Sequence, residues 1–147
     1  MRVAVLNGPN LNLLGTREPD LYGRDTLADI EKAVRAAAGP AGVELSWHQT
    51  NHEGEFVDLV QRLPATADGA LVNAGAFTHT SLAIRDALLA VRIPFVEVHL
   101  SNIFSREEAR RHSHLADLAV GIVAGFGGRS YLLGLDALTA HLTSRGR

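Results

Sequence analysis

The chain contains no cysteine, one lysine, one tryptophan and only two tyrosines in 147 residues. Without cysteine there can be no thiol nucleophile, no disulfide and no cysteine metal site. The basic residues are thirteen arginines and Lys32, so chemistry needing a side-chain amine has a single candidate. No apolar run approaches the ~18 residues of a membrane span, and no basic run marks a nucleic-acid footprint. The first residues open directly on a strand pattern, without the charged, apolar and small-residue regions of a signal peptide. A cytoplasmic protein with no nucleic-acid or membrane partner is the expectation.

What is present fits one domain over residues 1–147, long enough to bury about two-thirds of its unfolded surface. Five β-rich runs, 2–6, 43–49, 70–73, 94–99 and 118–123, alternate with helical patterns. The first, third and fourth are nearly continuously apolar, as parallel strands covered on both faces require. This alternation predicts a doubly wound α/β fold. Asp25 or Thr26 can cap a helix with Leu27, Ile30, Val34 and Ala37 on one face, stopped by Gly39-Pro40. Phe56, Leu59, Val60 and Leu63 mark a second, ended by Pro64. Thr80 or Ser81 opens a third, with Ile84, Ala87, Leu88 and Val91 toward the sheet. Ser105-Arg106-Glu107-Glu108 has capping-box spacing for a fourth, and Tyr131, Leu135, Leu138 and Leu142 define the last.

Two of these helices are unusual. At about 100° per residue, Asp86 lies roughly 200° from Ile84, on the outer face of its helix beside Leu82 and Leu89. A solvated acid among scattered leucines and a subunit contact are both consistent with that pattern. The fourth helical segment, 106–114, has almost no apolar stripe, which turns Arg110, Arg111 and His112 toward a site or a partner.

In open parallel sheets, ligands bind beyond the carboxyl ends of the strands, where the strand order reverses. Three strand ends here are polar: Asn7 and Asn10, then Asn73 to His79, then His99 to Asn102. If those strands are neighbours, the loops converge on one pocket within reach of Arg17, Tyr22 and Arg110. Amides and imidazoles give directional bonds to hydroxyls and arginines supply countercharge, so the pocket suits a small, polyhydroxylated anion. Singly, each residue has a structural use: Asn7-Gly8-Pro9 as a turn, His79 as a helix entry, His99 as an interior histidine. Glu97, on the same strand face as His99, needs a partner if it is buried. There is no P-loop lysine motif and no serine elbow. Gly125-Phe126-Gly127-Gly128 can cradle an anion or permit close strand-to-helix packing. His112 and His114 lack the spacing for a shared metal; His48 and His52 span a strand end and its loop with Glu53 nearby, which leaves a weak metal-site alternative.

Six blocks together resemble the type II 3-dehydroquinate dehydratases: Asn7-Gly8-Pro9-Asn10-Leu11-Asn12, Gly15-x-Arg17-Glu18-Pro19-x-x-Tyr22-Gly23, Asn51-His52-Glu53-Gly54-Glu55, Asn73-Ala74-Gly75-Ala76, Glu97-Val98-His99-Leu100-Ser101-Asn102 and Arg106-Glu107-Glu108. The resemblance runs on to Tyr131-Leu132-Leu133. It implies a flavodoxin-like fold, removal of water from 3-dehydroquinate to give 3-dehydroshikimate in the shikimate pathway, no cofactor, and a homododecamer built from trimers. By position, Tyr22 resembles the family's base and Arg17 its activating partner on a lid loop. Asn10 resembles the residue holding a water at the enolate, His99 the general acid, and Glu97 the group orienting it. Asn73, His79, Leu100 (through its amide), Ser101 and Arg110 fall on substrate-binding positions, and Asp86 on an acid contributed to a neighbouring subunit. Phe104, Ala109 and His114 depart from the family pattern beside these positions, which implies altered packing with activity retained.

The chemistry can be weighed against the residues. With Lys32 on a helix surface, a Schiff base is excluded, and no metal site presents itself, which leaves a hydrogen-bonded enolate. Ionising a tyrosine at neutral pH asks for a drop of about 3 units from ~10, or ~4 kcal/mol. One guanidinium supplies about 1–3 units, with a second arginine and amide bonds providing the rest. Loop closure between Gly15 and Gly23 expels water and strengthens the pairing. Two rival readings remain at this stage. One is a flavodoxin-like module binding flavin or another small anion, against which stand the scarce aromatics; the other is an inactive assembly subunit.

Overall fold

A computed structural model describes residues 1–16, 20 and 24–146. Among these residues the chain forms five parallel strands: β1 (Arg2–Asn7), β2 (Glu44–Gln49), β3 (Gly69–Asn73), β4 (Phe95–His99) and β5 (Gly121–Ala124). Four α-helices connect or follow them: α1 (Leu27–Ala38), α2 (Glu53–Thr66), α3 (Leu82–Val91) and α4 (Arg129–Arg145). The sheet order is β2-β1-β3-β4-β5. This is the flavodoxin-like order, with the reversal between β1 and β3.

The core lies on both faces of the sheet because successive strand residues point oppositely. Val3, Val5, Leu71, Val96 and Val98 pack with α1 and α4 through Ile30, Val34, Tyr131, Leu135 and Leu138. Ala4, Leu6, Ala70, Val72 and Phe95 pack with α2 and α3 through Phe56, Val60, Leu63, Ile84 and Leu88. Thr26 caps α1 in a reciprocal box with Asp29, and Ser81 caps α3 by accepting from the Ile84 N–H at 3.0 Å. Both caps satisfy helix N–H groups that have no partner within the helix.

Several boundaries differ from the sequence expectation. In α1, Ala38 is buried rather than Ala37. Helix α2 runs through Pro64 to Thr66; the ring removes one donor near the helix end, yet the Ala67 N–H still reaches the Leu63 carbonyl at 2.8 Å. Strand β5 begins at Gly121, because Leu118 and Ala119 turn back onto the Leu115 carbonyl. The expected helix over 106–114 does not form. Short 3₁₀ turns, Ile103–Ser105 and Glu108–Arg110, stand in its place. Capping-box spacing is a local signal, and without an apolar face to bury it does not carry a helix.

Candidate active site

The register at the reversal point pairs Asn7 with Asn73, so the polar ends of β1 and β3 lie side by side. The loops leaving them cross closely: the Gly8 N–H donates to the Asn73 carbonyl at 2.8 Å, and a Cβ on Gly8 would sit 2.2 Å from the Ala74 oxygen. Gly8 is therefore required by close backbone approach. Gly75, at φ +57° against Pro9, serves the same crossing.

Beneath the crossing, the Tyr131 hydroxyl on α4 donates to Asn7 Oδ1 (2.7 Å) and accepts from Asn73 Nδ2 (2.8 Å). Asn7 Nδ2 donates to the His48 carbonyl, and Asn73 Oδ1 accepts from the Gly75 N–H. Tyr131 is fully buried, and burial pushes its phenol well above the ordinary value, the Asn73 bond opposing only in part. It is a neutral strut.

The strand ends open onto a cleft of about 110 Å³. Asn10 and Asn73, His79, the run His99 to Ser101, and Arg106 and Arg110 are among its lining residues. Asn10 is held in the left-handed region at φ 67°, its N–H on Asn51 Oδ1 at 3.0 Å; asparagine tolerates that conformation better than most residues. Arg110 donates through Nε to Glu107 Oε1 at 2.6 Å. A backbone hydrogen bond, and after it this contact, hold the Glu107 carboxyl below its ordinary value.

Glu97 stands behind His99. The carboxylate is fully buried, its Oε2 lying 3.1 Å from His99 Nε2. The pair is close, but its alignment falls short of a hydrogen bond. With Nε2 turned inward, Nδ1 is the ring nitrogen left to serve the cleft. His79 donates from Nδ1 to the His112 carbonyl at 2.8 Å, which puts a proton on Nδ1. Burial chiefly depresses its pKa, with His99 and Arg110 adding to the shift while the His112 bond and Glu97 oppose it.

Asn10, Asn73, His79, His99, Leu100, Ser101 and Arg110 are thus brought to one cleft, with Glu97 in direct support. Asp86 is not: it is exposed on the outer face of α3, with Leu82 and Leu89 59% and 47% exposed beside it. Arg17 and Tyr22 lie outside the described residues. Sequence reasoning missed Ser113, whose hydroxyl donates to Glu97 Oε1. It also missed the hydroxyl of Tyr131, read only as part of an apolar helix face. A buried carboxylate with one visible partner was the available signal for Ser113, since such a group needs further donors.

This geometry agrees with three lines of similarity. A family model described as Dehydroquinase class II matches residues 1–139. The 3-dehydroquinate dehydratase of Synechococcus sp. (strain WH7803) is 58% identical over 142 residues, 97% of each chain. The crystal structure of type II dehydroquinase from Butyrivibrio crossotus DSM 2876 superposes with a TM-score of 0.92 at 38% identity, covering 95% of this chain and 97% of that one. The type II dehydroquinase from Propionibacterium acnes gives 0.89 at 35% identity, covering 95% and 96%. These matches disfavour the flavin-binding alternative. A cleft of amides, imidazoles and arginine at the strand reversal, on a chain matched along nearly its full length, places this protein in the class II dehydroquinase family.

Proposed function

We propose that the chain is a lyase that removes water from 3-dehydroquinate to give 3-dehydroshikimate, a single-domain enzyme acting in the cytoplasm without a Schiff base, metal or cofactor. The observation that carries this reading is the buried Glu97 carboxylate set against His99 on the cleft wall, 3.1 Å away. Elimination β to a ketone needs a base for the α-proton, hydrogen bonds for the enolate and an acid for the departing hydroxyl. Tyr22, with Arg17 lowering its pKa, is the base. The other tyrosine is unsuited, because burial holds its proton on. Asn10 holds a water at the enolate oxygen. His99, kept protonated by Glu97, delivers a proton to the leaving hydroxyl. Asn73, His79, the Leu100 amide, Ser101 and Arg110 bind the hydroxyls and carboxylate of the substrate.

Lys32, exposed on α1 and absent from the cleft lining, supports a route without an imine. Among the described residues, no helix is long and apolar enough to cross a membrane. The exposed Asp86, with Leu82 and Leu89 around it, supports assembly: a trimer in which Asp86 completes a neighbour's cleft, four trimers making a homododecamer. The direct experiment mixes purified protein with 3-dehydroquinate and follows the ultraviolet absorbance of the conjugated enone. Absorbance should rise in proportion to enzyme, and a flat trace at high enzyme concentration would reject the function. Borohydride added during turnover should leave no substrate-sized mass adduct; an adduct on Lys32 would reject the imine-free route.

A further inference from the structure

We propose that Ser113 is a positioning residue, which keeps Glu97 ionised and aimed at His99 and so maintains the proton on the site's general acid. The proposal rests on the dehydratase reading for its consequence in turnover, and on geometry alone for the state of His99.

Residues 95, 97 and 99 share one face of β4. On that face the neighbours are apolar, including Phe95 and Leu115. A carboxylate there is costly unless its oxygens are bonded. Oε2 faces His99, and Oε1 accepts from the Ser113 hydroxyl. That hydroxyl has one proton to give. Its lone pairs accept from the N–H groups of Leu115 and Ala116, each at 3.1 Å. Glu97 is therefore where the proton points, and two amide donors behind the oxygen strengthen its donation.

Ser113 is itself held in place. The His114 N–H donates to the Thr78 carbonyl at 2.9 Å. The His114 carbonyl accepts from Arg85 Nη1 at 2.7 Å, and Arg85 also pairs with Asp117. On the other side of Ser113, the His112 carbonyl takes His79 Nδ1. Segment 112–114 thus acts as a strap that sets both imidazoles of the cleft: His79 directly, and His99 through Glu97.

The support matters because the cleft is cationic. Besides Glu97, the titratable groups facing His99 on described residues are His79 after β3, and Arg106 and Arg110 after β4. Each of these, when charged, disfavours an imidazolium on His99. Glu97 opposes them only while ionised. Losing the Ser113 bond takes a donor from the buried carboxylate and so weakens the negative charge set against His99.

The test compares Ser113→Ala, Ser113→Cys and Ser113→Thr by kinetics and by ¹⁵N NMR of the substrate-free enzyme, the His99 resonance being identified by its loss in His99→Gln. In Ser113→Ala, the loss of a bond to a charged group should lower kcat about 10–100-fold. KM should change little, and the alkaline limb of kcat should move to lower pH. The His99 ring should shift toward the neutral imidazole pattern at unchanged pH. Ser113→Thr, which keeps the hydroxyl, should restore all of these. If the alanine variant fails to fold, Ser113→Cys carries the test, since a thiol of similar size is a weak donor. An unchanged His99 spectrum and pH profile in the alanine or cysteine variant would overturn the proposal. So would a threonine variant as impaired as alanine despite normal folding. The spectrum needs no substrate, so an inactive wild type with the expected shift would reject the dehydratase reading and leave the role of Ser113 standing.

Discussion

Two buried polar networks sit at the carboxyl ends of neighbouring strands, and they are built oppositely. Asn7, Tyr131 and Asn73 form a neutral set in which the Asn7 and Asn73 side chains each donate and accept, and the phenol does both. Glu97 and His99 form a pair able to carry charge, with Oε2 and Nε2 in contact at 3.1 Å but without a well-aligned bond. A network whose members are all paired is rigid, and Asn73 keeps only one amide hydrogen and one lone pair for a ligand. A buried pair held short of ideal geometry keeps a proton that can be moved. The first network joins β1 and β3 to α4; the second is the one to which we assign the chemistry.

The sharpest way to break this comparison is to cut each network once. His99→Gln removes the proposed acid and should lower kcat by about 10²–10⁴-fold, the range for general acid catalysis. Its unfolding midpoint in denaturant should move little. Turnover near wild type would remove His99 from that role. Tyr22→Phe should cause a loss of the same order with assembly intact, as judged by sedimentation. A phenylalanine variant that still turns over would send the search for the base elsewhere.

Glu97→Gln sharpens the comparison by keeping the shape and removing the charge. The amide oxygen can still accept from Ser113, but nothing negative faces the imidazole. The active, protonated form of the enzyme should then be lost at lower pH, which moves the alkaline limb of kcat downward. An unmoved limb would mean that Glu97 acts by geometry only. Tyr131→Phe is the complementary cut. It leaves Asn7 Oδ1 and Asn73 Nδ2 without their partner inside the core, at a cost of about 1–3 kcal/mol in unfolding free energy. Turnover should suffer far less than stability. A variant as stable as wild type but inactive would reverse the roles assigned to the two networks.

How far this was legible in the sequence follows the range of each signal. The caps were readable to within one residue, as Asp25 or Thr26 and Thr80 or Ser81, because a cap acts over three residues; Thr26 and Ser81 fill the role. Asp86 was placed outward by helical angle alone, and it is exposed. The polar ends of three strands announced the cleft, since an interior does not need asparagine and histidine at aligned positions. Ser113 was illegible: it lies 16 residues from Glu97 in sequence, inside a segment whose cap-like spacing suggested a helix. Only the absence of an apolar stripe argued against that helix, and it gave no hint of what the residues do instead. Tyr131 was half legible. Helical periodicity turned its ring to the core, but its hydroxyl meets side chains 58 and 124 positions away. Contacts of that separation depend on the finished fold.

The smallest expected effect concerns acid stability, and it tests whether burial holds His79 neutral against its bond to the His112 carbonyl. His79 and His48 both have pKa values depressed below the ordinary value, with burial the largest cause in each. The unfolded chain takes up protons on these rings near pH ~6.5, whereas the folded chain resists until lower pH. Below that point the unfolded state binds more protons, so stability falls as pH drops and recovers as pH rises. Denaturant midpoints measured between about pH 7 and 5 should therefore decline. His79→Asn can still donate to the His112 carbonyl but cannot titrate, so it should decline less steeply while His48 continues to contribute. An identical slope would mean that His79 takes up its proton as readily folded as unfolded, and so is charged in the cleft over the same acid range. The cleft would then carry one more positive charge, and Glu97 would have a harder task in keeping the proton on His99.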